Sequence, residues 1–291
     1  MGTIIENVHV TRGGWRRRHS ALRLADAAAR GCLRGAGRDP RDLDLLVNAG
    51  IYRDRNLGEP ALAAMIQKDI GANPEDPHGN GHGTFSFDVA NGSCGVITAL
   101  QIVDGFLESR TVDSALIVAS DADPGRRRSD RFPYSPVGAA MSCTWADGHD
   151  GLGRVYWVRR PDGGESYNAT AGLVDRRNVL RFHESADVDS RFAEAAAEAA
   201  RRCLGEEGLD ATDVDVIVAA PAHGEFRAAL AERLGIAVDT VVVAADAKTH
   251  TASLAAAFQR GTEPLGAGAC VLLVAAAAGI TAGAALYRVP R

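Results

Sequence analysis

The sequence contains few cysteines and no pattern that would join them. Five are present among 291 residues, an odd number, widely spaced and without a C-x-x-C pair. This usage argues against a disulfide-stapled secreted scaffold and is typical of a reduced, cytosolic protein. Hydrophobic residues make up 46% of the chain, so a substantial core can form without disulfide or metal staples.

Long apolar runs are also absent. No stretch reaches the roughly 18 residues that a membrane-spanning helix needs. The alanine-rich segment 271–278 is too short for a span and is better interpreted as a core strand. The first twenty residues lack the apolar core of a signal peptide. These absences predict a cytoplasmic protein with no membrane partner.

Positive charge is not in excess, since 32 Lys and Arg residues stand against 37 Asp and Glu, for a net charge of −5. Nucleic-acid-binding proteins usually show the opposite balance, so no nucleic-acid partner is expected. The glycine motifs of dinucleotide and nucleoside-triphosphate sites are missing. His78 and His82 share a glycine-rich loop, but no cysteine or carboxylate at ligand spacing joins them, so no metal site is predicted.

Strand and helix patterns alternate along the chain. Short apolar runs such as Leu43–Val47 predict buried strands, and segments with helical spacing such as Leu22–Leu33 separate them. This alternation is typical of parallel sheets covered by helices. The same order runs twice, on either side of a breaker-rich stretch at 160–165. It predicts two similar halves, residues 1–160 and 161–291, each with its own sheet.

The junction between the halves contains three predicted strands. Val137–Trp145 and Gly153–Val158 are interpreted as an antiparallel pair that closes the first half. Ser166–Leu173 is interpreted as the strand that opens the second half.

The segment Asn91–Gly95 joins a predicted strand to a predicted helix. A nucleophile at such a turn faces the partial positive charge of the helix N-terminus, which favours a thiolate. The free N–H groups of the helix start can also stabilise an oxyanion. Cysteine suits acyl transfer because its thiolate attacks thioesters readily and leaves again. Cys94 is therefore the candidate nucleophile.

The residues around this turn resemble the active-site region of the ketoacyl-acyl-carrier-protein synthase III family. The similarity lies in the strand and turn FDVANGSCG, the Ala-Leu pair that follows, the strand SALIVASDADP and the closing segment GITAGAALYRV. It covers nearly the whole chain. The resemblance implies an α/β thiolase fold in which two similar halves form a layered α-β-α-β-α sandwich, and it implies an acyltransferase.

The nucleophile turn departs from the family by one position. Without gaps, the family's cysteine falls on Ser93, and Cys94 comes one place later. Cys94 is favoured as the nucleophile, because cysteine attacks thioesters better without assistance. Ser93 stays the alternative. The resemblance also implies that the backbone N–H of Gly279, in the last glycine-containing turn, is the second donor to the oxyanion.

The resemblance implies two further catalytic side chains, a histidine after a strand of the second half and an asparagine in a later turn. His223 follows such a strand, although an ungapped match puts Ala220 at the family histidine and His223 at a later asparagine. His250 stands where the turn would have its asparagine. Two imidazole N–H groups can stabilise an enolate or oxyanion, and one neutral imidazole can equally act as a base toward an acyl acceptor.

Two basic clusters stand out in this acidic chain. Guanidinium groups bind phosphates well, and a tryptophan can stack on adenine. Because the family takes acyl groups from coenzyme A or from a phosphopantetheine carrier protein, both clusters are candidates for binding that donor. Their members are Trp15, Arg16, Arg17 and Arg18 in the first cluster, and Arg127 and Arg128 in the second. No permanently bound cofactor is expected, since the thioester is the substrate.

The function implied is acyl transfer through a covalent acyl-enzyme thioester. The acyl group then undergoes decarboxylative condensation with a malonyl-carrier protein or passes to a small-molecule acceptor, in fatty-acid-like or polyketide metabolism. A homodimer is expected, and a heterodimer stays open. The alternative is a non-catalytic thiolase-fold subunit of a heterodimeric synthase.

Overall fold

The computed structural model describes residues 2–14, 19–57, 59–73, 83–125, 127–148 and 150–291. The strands are β1 (Gly2–Arg12), β2 (Leu45–Asn48), β3 (Phe85–Asp88), β4 (Ser114–Asp121), β5 (Val137–Ala146), β6 (Gly151–Leu152), β7 (Tyr156–Arg159), β8 (Tyr167–Val174), β9 (Arg177–Glu184), β10 (Val216–Ala220), β11 (Val241–Val242), β12 (Cys270–Ala277) and β13 (Thr281–Arg288). The helices are α1 (Ala21–Ala36), α2 (Leu62–Ile70), α3 (Gly95–Glu108), α4 (Val188–Glu206), α5 (Gly224–Leu234) and α6 (Ser253–Thr262). None of the described helices is both long and apolar enough to cross a bilayer.

The first sheet has the strand order β1-β5-β4-β2-β3. β2 runs parallel to β3 and β4, whereas β5 is antiparallel to both β4 and β1. Every residue of β4 is buried, as expected for a strand that is covered on both faces. α1 and α2 cover the outer face, where Ala28 and Ile66 pack against Leu46 and Leu116 of the sheet.

The second sheet has the order β11-β10-β12-β13-β6, and β7 also pairs with β13. β10 runs parallel to β11 and β12. β12 is buried along its whole length, and its alternate side chains face two different cores. The outer face is covered by α4 and α5, whose alanines and Phe226 pack against strand residues such as Leu272.

α3 and α6 lie between the two sheets. One core cluster contains Leu100 of α3, Leu254 of α6, Ile117 of the first sheet and Leu273 of the second. The layers therefore follow the order helix, sheet, helix, sheet, helix. This arrangement confirms the predicted α-β-α-β-α sandwich.

The predicted boundary between the halves is too late in the chain. β6 and β7 precede residue 160 but pair with β13 of the second sheet. The proposed pairing of Val137–Trp145 with Gly153–Val158 is wrong, because β5 pairs with β1 and β4. The last strand of the first sheet ends at Ala146, and the second sheet begins at Gly151. Alternating hydrophobicity indicates a strand without naming its partner.

The strand predicted at Ser166–Leu173 exists as β8 but opens no sheet of the core. It pairs with β9, which is absent from the predicted elements, in a separate two-stranded hairpin. Most residues of this hairpin are exposed. Phe182 of β9 packs edge-on against Tyr52 and Tyr134, so the hairpin covers one side of the cavity that these two tyrosines line.

An ion pair fixes the loop that follows β2. Asp88, at the end of β3, accepts hydrogen bonds from the N–H groups of Leu62 and Ala63 at the start of α2. The same carboxylate lies 2.6 Å from the guanidinium of Arg53. A carboxylate at a helix N-terminus is stabilising, so Asp88 holds this loop, which carries Tyr52, against the sheet.

Candidate active site

A cavity of about 530 Å³ lies beyond the carboxyl ends of the parallel strands of both sheets. Each of its principal side chains follows such a strand or belongs to a loop beyond it. Crevices at this edge of a parallel sheet are where α/β proteins bind ligands. The wall includes Tyr52, Ser93, Tyr134, His223, His250 and Ala278.

Ser93 faces the cavity from a short 3-10 turn, Gly92–Cys94, that leads into α3. Gly92 has φ +50°, a conformation that residues with side chains rarely adopt, and this bend turns the backbone into the helix. A Cβ atom added to Gly92 would lie 3.7 Å from Nε2 of His250, so the turn and the imidazole are adjacent. The Ser93 hydroxyl donates a hydrogen bond to the carbonyl of Ala276.

Cys94 is not among the residues that line the cavity, and this position does not favour it as the nucleophile. Its side chain is fully buried in the core between the sheets, where Sγ lies 3.5 Å from the carbonyl oxygen of Thr281. Burial raises the pKa of this thiol far above its ordinary value, although a backbone N–H at Gly283 opposes the shift. Because the helix begins directly after the turn, residue 93 faces the cavity and residue 94 faces the core.

His250 forms a pair with a carboxylate that was not among the predicted site residues. Its Nδ1 lies 3.1 Å from Oδ2 of Asp121, the last residue of β4. The same oxygen accepts hydrogen bonds from the N–H and the hydroxyl of Thr251, at 2.9 and 2.6 Å. The other oxygen accepts hydrogen bonds from the N–H groups of Ile51 and Tyr52, at 3.3 and 2.9 Å.

The environment of Asp121 keeps the carboxyl group ionised. Burial alone would raise its pKa, but the neighbouring His250 and the hydrogen bonds from His250, Thr251 and Tyr52 lower the pKa overall. An ionised carboxylate only accepts hydrogen bonds, so Nδ1 of the imidazole must carry the proton. In the neutral ring, Nε2 is then left unprotonated on the side of the Gly92 turn.

His223 forms the second pair of this kind. It is the N-cap residue of α5, and its Nδ1 lies 2.9 Å from Oδ1 of Asp189 in α4. The hydrogen bond to Asp189 is the main cause that raises the pKa of this imidazole. Burial opposes the shift, and the charges of Glu184 and Glu225 add to it. Both predicted histidines therefore line one cavity, each backed by a carboxylate.

The structure does not bring Gly279 to the cavity wall. Gly279 is an exposed residue in the turn between β12 and β13, with φ +74° and open space around a virtual Cβ. Its neighbour Ala278 lines the cavity instead. The expectation that the N–H of Gly279 is an oxyanion donor is not supported by this geometry.

An aromatic wall faces the two histidines. The ring of Tyr134 stacks on the imidazole of His250, with centroids 4.1 Å apart and an interplanar angle of 16°. The hydroxyl of Tyr167 lies 2.6 Å from that of Tyr134 and 3.0 Å from that of Tyr52. Tyr52 and Tyr134 are themselves stacked, with an interplanar angle of 19°.

Only one of the two basic clusters can be placed. Trp15, Arg16, Arg17 and Arg18 lie outside the described residues, as do His78 and His82. Arg127 lines a cavity of about 340 Å³ beside the β8–β9 hairpin, together with Arg177 and Arg181. Arg128 donates a hydrogen bond to the carbonyl of Arg55 close by. Within the described ranges, no group of three or more His, Cys, Asp or Glu side chains could hold a metal ion.

A profile of the family described as 3-oxoacyl-[acyl-carrier-protein] synthase III, C terminal, matches residues 204–289. The β-ketoacyl-[acyl-carrier-protein] synthase III of Koribacter versatilis is 26% identical over 308 residues, which cover 95% of this chain and 87% of the relative.

Solved structures share the fold at lower identity. The 3-oxoacyl-[acyl-carrier-protein] synthase III of Aquifex aeolicus superposes with a TM-score of 0.82 at 20% identity, covering 99% of this chain and 100% of that one. The priming β-ketosynthase of a polyketide biosynthetic pathway superposes with a TM-score of 0.80 at 20% identity, covering 99% of this chain and 96% of that one.

Proposed function

We propose that this chain is an acyltransferase similar to the β-ketoacyl-acyl-carrier-protein synthase III enzymes of the thiolase fold, and that it carries its acyl group on the hydroxyl of Ser93. The intermediate is then an oxygen ester rather than a thioester. The observation that carries the proposal is the His250–Asp121 pair beside the Gly92–Ser93 turn. A serine hydroxyl is a weak nucleophile until a base removes its proton, and this pair supplies the base.

In the first step, the Ser93 hydroxyl leaves the carbonyl of Ala276 and gives its proton to Nε2 of His250. Oγ attacks the carbonyl carbon of the acyl thioester, and the C–S bond breaks. The departing thiolate takes the proton from the imidazolium, so the ring returns to its neutral form. Asp121 holds the Nδ1–H and stabilises the imidazolium while it exists.

In the second step, the same imidazole activates an acyl acceptor. Because Asp121 keeps the proton on Nδ1, the neutral ring presents Nε2 to the cavity as a proton acceptor. This favours transfer to a hydroxyl or amine, whose proton Nε2 removes as the acceptor attacks the ester. Stabilising an enolate requires an N–H donor at that position instead.

Condensation with a malonyl thioester is the second candidate function. His223 favours it, because hydrogen bonding to Asp189 raises the pKa of His223 and so increases the fraction of imidazolium, which is a donor. The two candidates differ in what consumes the acyl-enzyme. A malonyl-carrier protein would discharge it by condensation, whereas alcohols or amines would discharge it by simple transfer.

The acyl donor is proposed to be a coenzyme A or carrier-protein thioester. Arg127, Arg177 and Arg181 line one cavity, and Arg128 lies close to Arg127. Asp130 and Asp175 also line it, so the site is mixed in charge but holds more guanidinium groups than carboxylates. Guanidinium groups pair well with phosphates and with acidic protein surfaces. β9 carries Arg177 and Arg181 as well as Phe182, which packs against Tyr134 of the aromatic wall, and it thereby links this basic surface to the catalytic cavity.

A second copy of the chain is proposed to bind along β3. This strand is the edge of the first sheet, and Phe85 on it is 56% exposed beside Phe87 and Phe106. An apolar edge strand is a ready surface for pairing with another chain. Phe85→Glu is expected to shift the molar mass in solution, measured by light scattering, from dimer to monomer. A wild-type monomer would instead point to a different chain as partner.

The nucleophile can be identified by the covalent acyl adduct that it forms. The protein is incubated with a panel of acyl-coenzyme A and acyl-carrier-protein donors, the intact mass is recorded, and the adduct is mapped to a peptide. An acyl ester on Ser93 is expected, lost in Ser93→Ala and retained in the matched control Cys94→Ala. An adduct on Cys94 would refute the assignment, and no adduct with any donor would favour the non-catalytic partner subunit. Chasing the adduct with malonyl-carrier protein, alcohols or amines then separates condensation from simple transfer.

A further inference from the structure

The imidazole of His250 is held at two places. Its Nδ1 lies 3.1 Å from Asp121, and its face lies against the ring of Tyr134 at a centroid distance of 4.1 Å. The planes differ by only 16°, so the two rings overlap face to face. The ring of Tyr52 also lies beside this imidazole, with centroids 5.4 Å apart and an interplanar angle of 32°.

A single hydrogen bond does not fix the orientation of an imidazole. The ring can still pivot about the line between Nδ1 and the carboxylate oxygen, and this pivot moves Nε2 through an arc. A flat neighbour in contact with the ring face removes that freedom, and parallel aromatic contacts of this kind are favourable in themselves. The stack on Tyr134 therefore determines where Nε2 points.

Tyr134 is in turn fixed from several sides. Its hydroxyl lies 2.6 Å from that of Tyr167, which belongs to β8. Phe132 and Phe182 meet its ring edge-on, with interplanar angles of 85° and 90°. Tyr52 lies against it nearly parallel. A ring held by so many contacts can impose its own orientation on a neighbour.

We propose that Tyr134 is a positioning residue for His250, and that its ring is kept in place jointly by several contacts, no one of which is essential. These contacts come from Tyr52, Phe132, Tyr167 and Phe182. The proposal rests on the role of His250 as the base toward Ser93. It also gives a function to the hairpin, which joins neither core sheet. The hairpin contributes two of the contacts that hold the ring against which the imidazole is aligned.

Three substitutions distinguish a role of Tyr134 in positioning the His250 ring from a general effect on the packing of the aromatic cluster. Tyr134→Leu removes the stacking ring and keeps an apolar side chain that fills part of its space. Tyr134→Phe keeps the ring and loses only the hydroxyl. Phe182→Leu removes one of the several contacts that hold Tyr134 and leaves in place the Tyr134 ring that stacks on His250, so it is the matched packing control.

The first readout is the acylation of Ser93, with the rate constant at saturating donor separated from the half-saturating concentration. Misplacing a catalytic group by about 1 Å can cost on the order of 100-fold in rate, so Tyr134→Leu is expected to slow acylation by about 10- to 100-fold. Tyr134→Phe is expected to recover most of that loss. An equal loss in Phe182→Leu and Tyr134→Leu would show a packing effect and overturn the proposal.

The second readout is the NMR signals of the His250 ring, which need no turnover. One sharp set of His250 ring signals, shifted upfield by the ring current of the stacked aromatic ring, is expected in the wild type, Tyr134→Phe and Phe182→Leu. Broadened or multiple sets are expected in Tyr134→Leu. One sharp set in Tyr134→Leu would overturn the proposal. If the wild type forms no adduct on Ser93, the proposed function fails, and the NMR result alone decides the positioning role.

Discussion

Replacing Asp121 by Asn changes one atom in the centre of the site and reverses its hydrogen bonding. The carboxylate accepts five hydrogen bonds, two at Oδ1 from the N–H groups of Ile51 and Tyr52, and three at Oδ2 from His250 and Thr251. An amide oxygen at the Oδ1 position can keep the first two. The amide nitrogen then faces the other three groups, and it is a donor.

The consequences for Thr251 and His250 follow from what each can accept. The hydroxyl of Thr251 can rotate to accept a hydrogen bond, but its backbone N–H cannot and is left unpaired. Nδ1 of His250 can accept a hydrogen bond only if its proton moves to Nε2. With Nε2 protonated, the ring can no longer act as a base toward Ser93. In serine hydrolases the equivalent change lowers kcat about 10⁴-fold, so we expect acylation of Ser93 to fall by about 10³- to 10⁴-fold.

The same substitution is expected to destabilise the fold. An unpaired buried N–H and the loss of a charged acceptor together cost about 3 kcal/mol of unfolding free energy. Single-turnover acylation followed by intact mass measures the rate, chemical denaturation measures the stability, and ¹⁵N shifts of His250 report which nitrogen carries the proton. Near-normal acylation, or a proton that stays on Nδ1, would refute the reasoning. Asp123→Asn is the matched control, because Asp123 accepts its hydrogen bonds from Gly125 and Ser129 through a single oxygen that an amide can supply.

Two further predictions concern the second half. Asp189→Asn is expected to lower the pKa of His223, measured by NMR titration, because hydrogen bonding to Asp189 is the main cause of its raised value. A raised pKa means that the pair stabilises the fold fully below the unfolded value of about 6.5 and loses this contribution as pH rises through the folded pKa. Unfolding at pH 5 and pH 9 should therefore differ less in Asp189→Asn than in the wild type, and an unchanged difference would contradict the assignment. Phe226→Ala, at a fully buried side chain, is expected to lower the free energy of unfolding by about 3–5 kcal/mol in urea, and a loss below about 1 kcal/mol would contradict the packing described.

The layered architecture could be predicted because the chain alternates strand and helix patterns and resembles a known family. Buried strands such as β4 and β12 are continuous apolar runs, which leave a strong signal. The β8–β9 hairpin leaves only a weak signal in the sequence. Its strands contain many exposed polar residues, and only tertiary contacts such as that of Phe182 with Tyr134 hold it over the cavity.

The candidate site could be predicted in part. His223 and His250 follow recognisable strands, and the structure brings both to one cavity. Their carboxylate partners could not be found from the sequence, because Asp189 and Asp121 are distant in the chain from the histidines they contact. An aspartate that ends a fully buried strand, as Asp121 does, is the one signal that the sequence offered.

The choice between Ser93 and Cys94 as the nucleophile could not be made from nucleophilicity alone, because it also depends on which side chain faces the cavity. At the end of a tight turn, neighbouring side chains point in different directions. The better nucleophile, Cys94, faces the core, and the weaker one faces the cavity. The chemistry that a cysteine supplies unaided must then come from neighbouring groups.

The dependence of Ser93 on the His250–Asp121 pair can be measured by placing a cysteine at position 93. A thiol with an ordinary pKa of about 8.5 is a far stronger acid than a hydroxyl, so Ser93→Cys needs less help from His250 and Asp121. Asp121→Asn should therefore slow acylation at least about tenfold less in the Ser93→Cys background than in the wild type, which a double-mutant cycle measures directly. Equal penalties in both backgrounds would mean that Asp121 acts on the fold alone. A smaller penalty with cysteine would show that the His250–Asp121 pair compensates for the hydroxyl nucleophile.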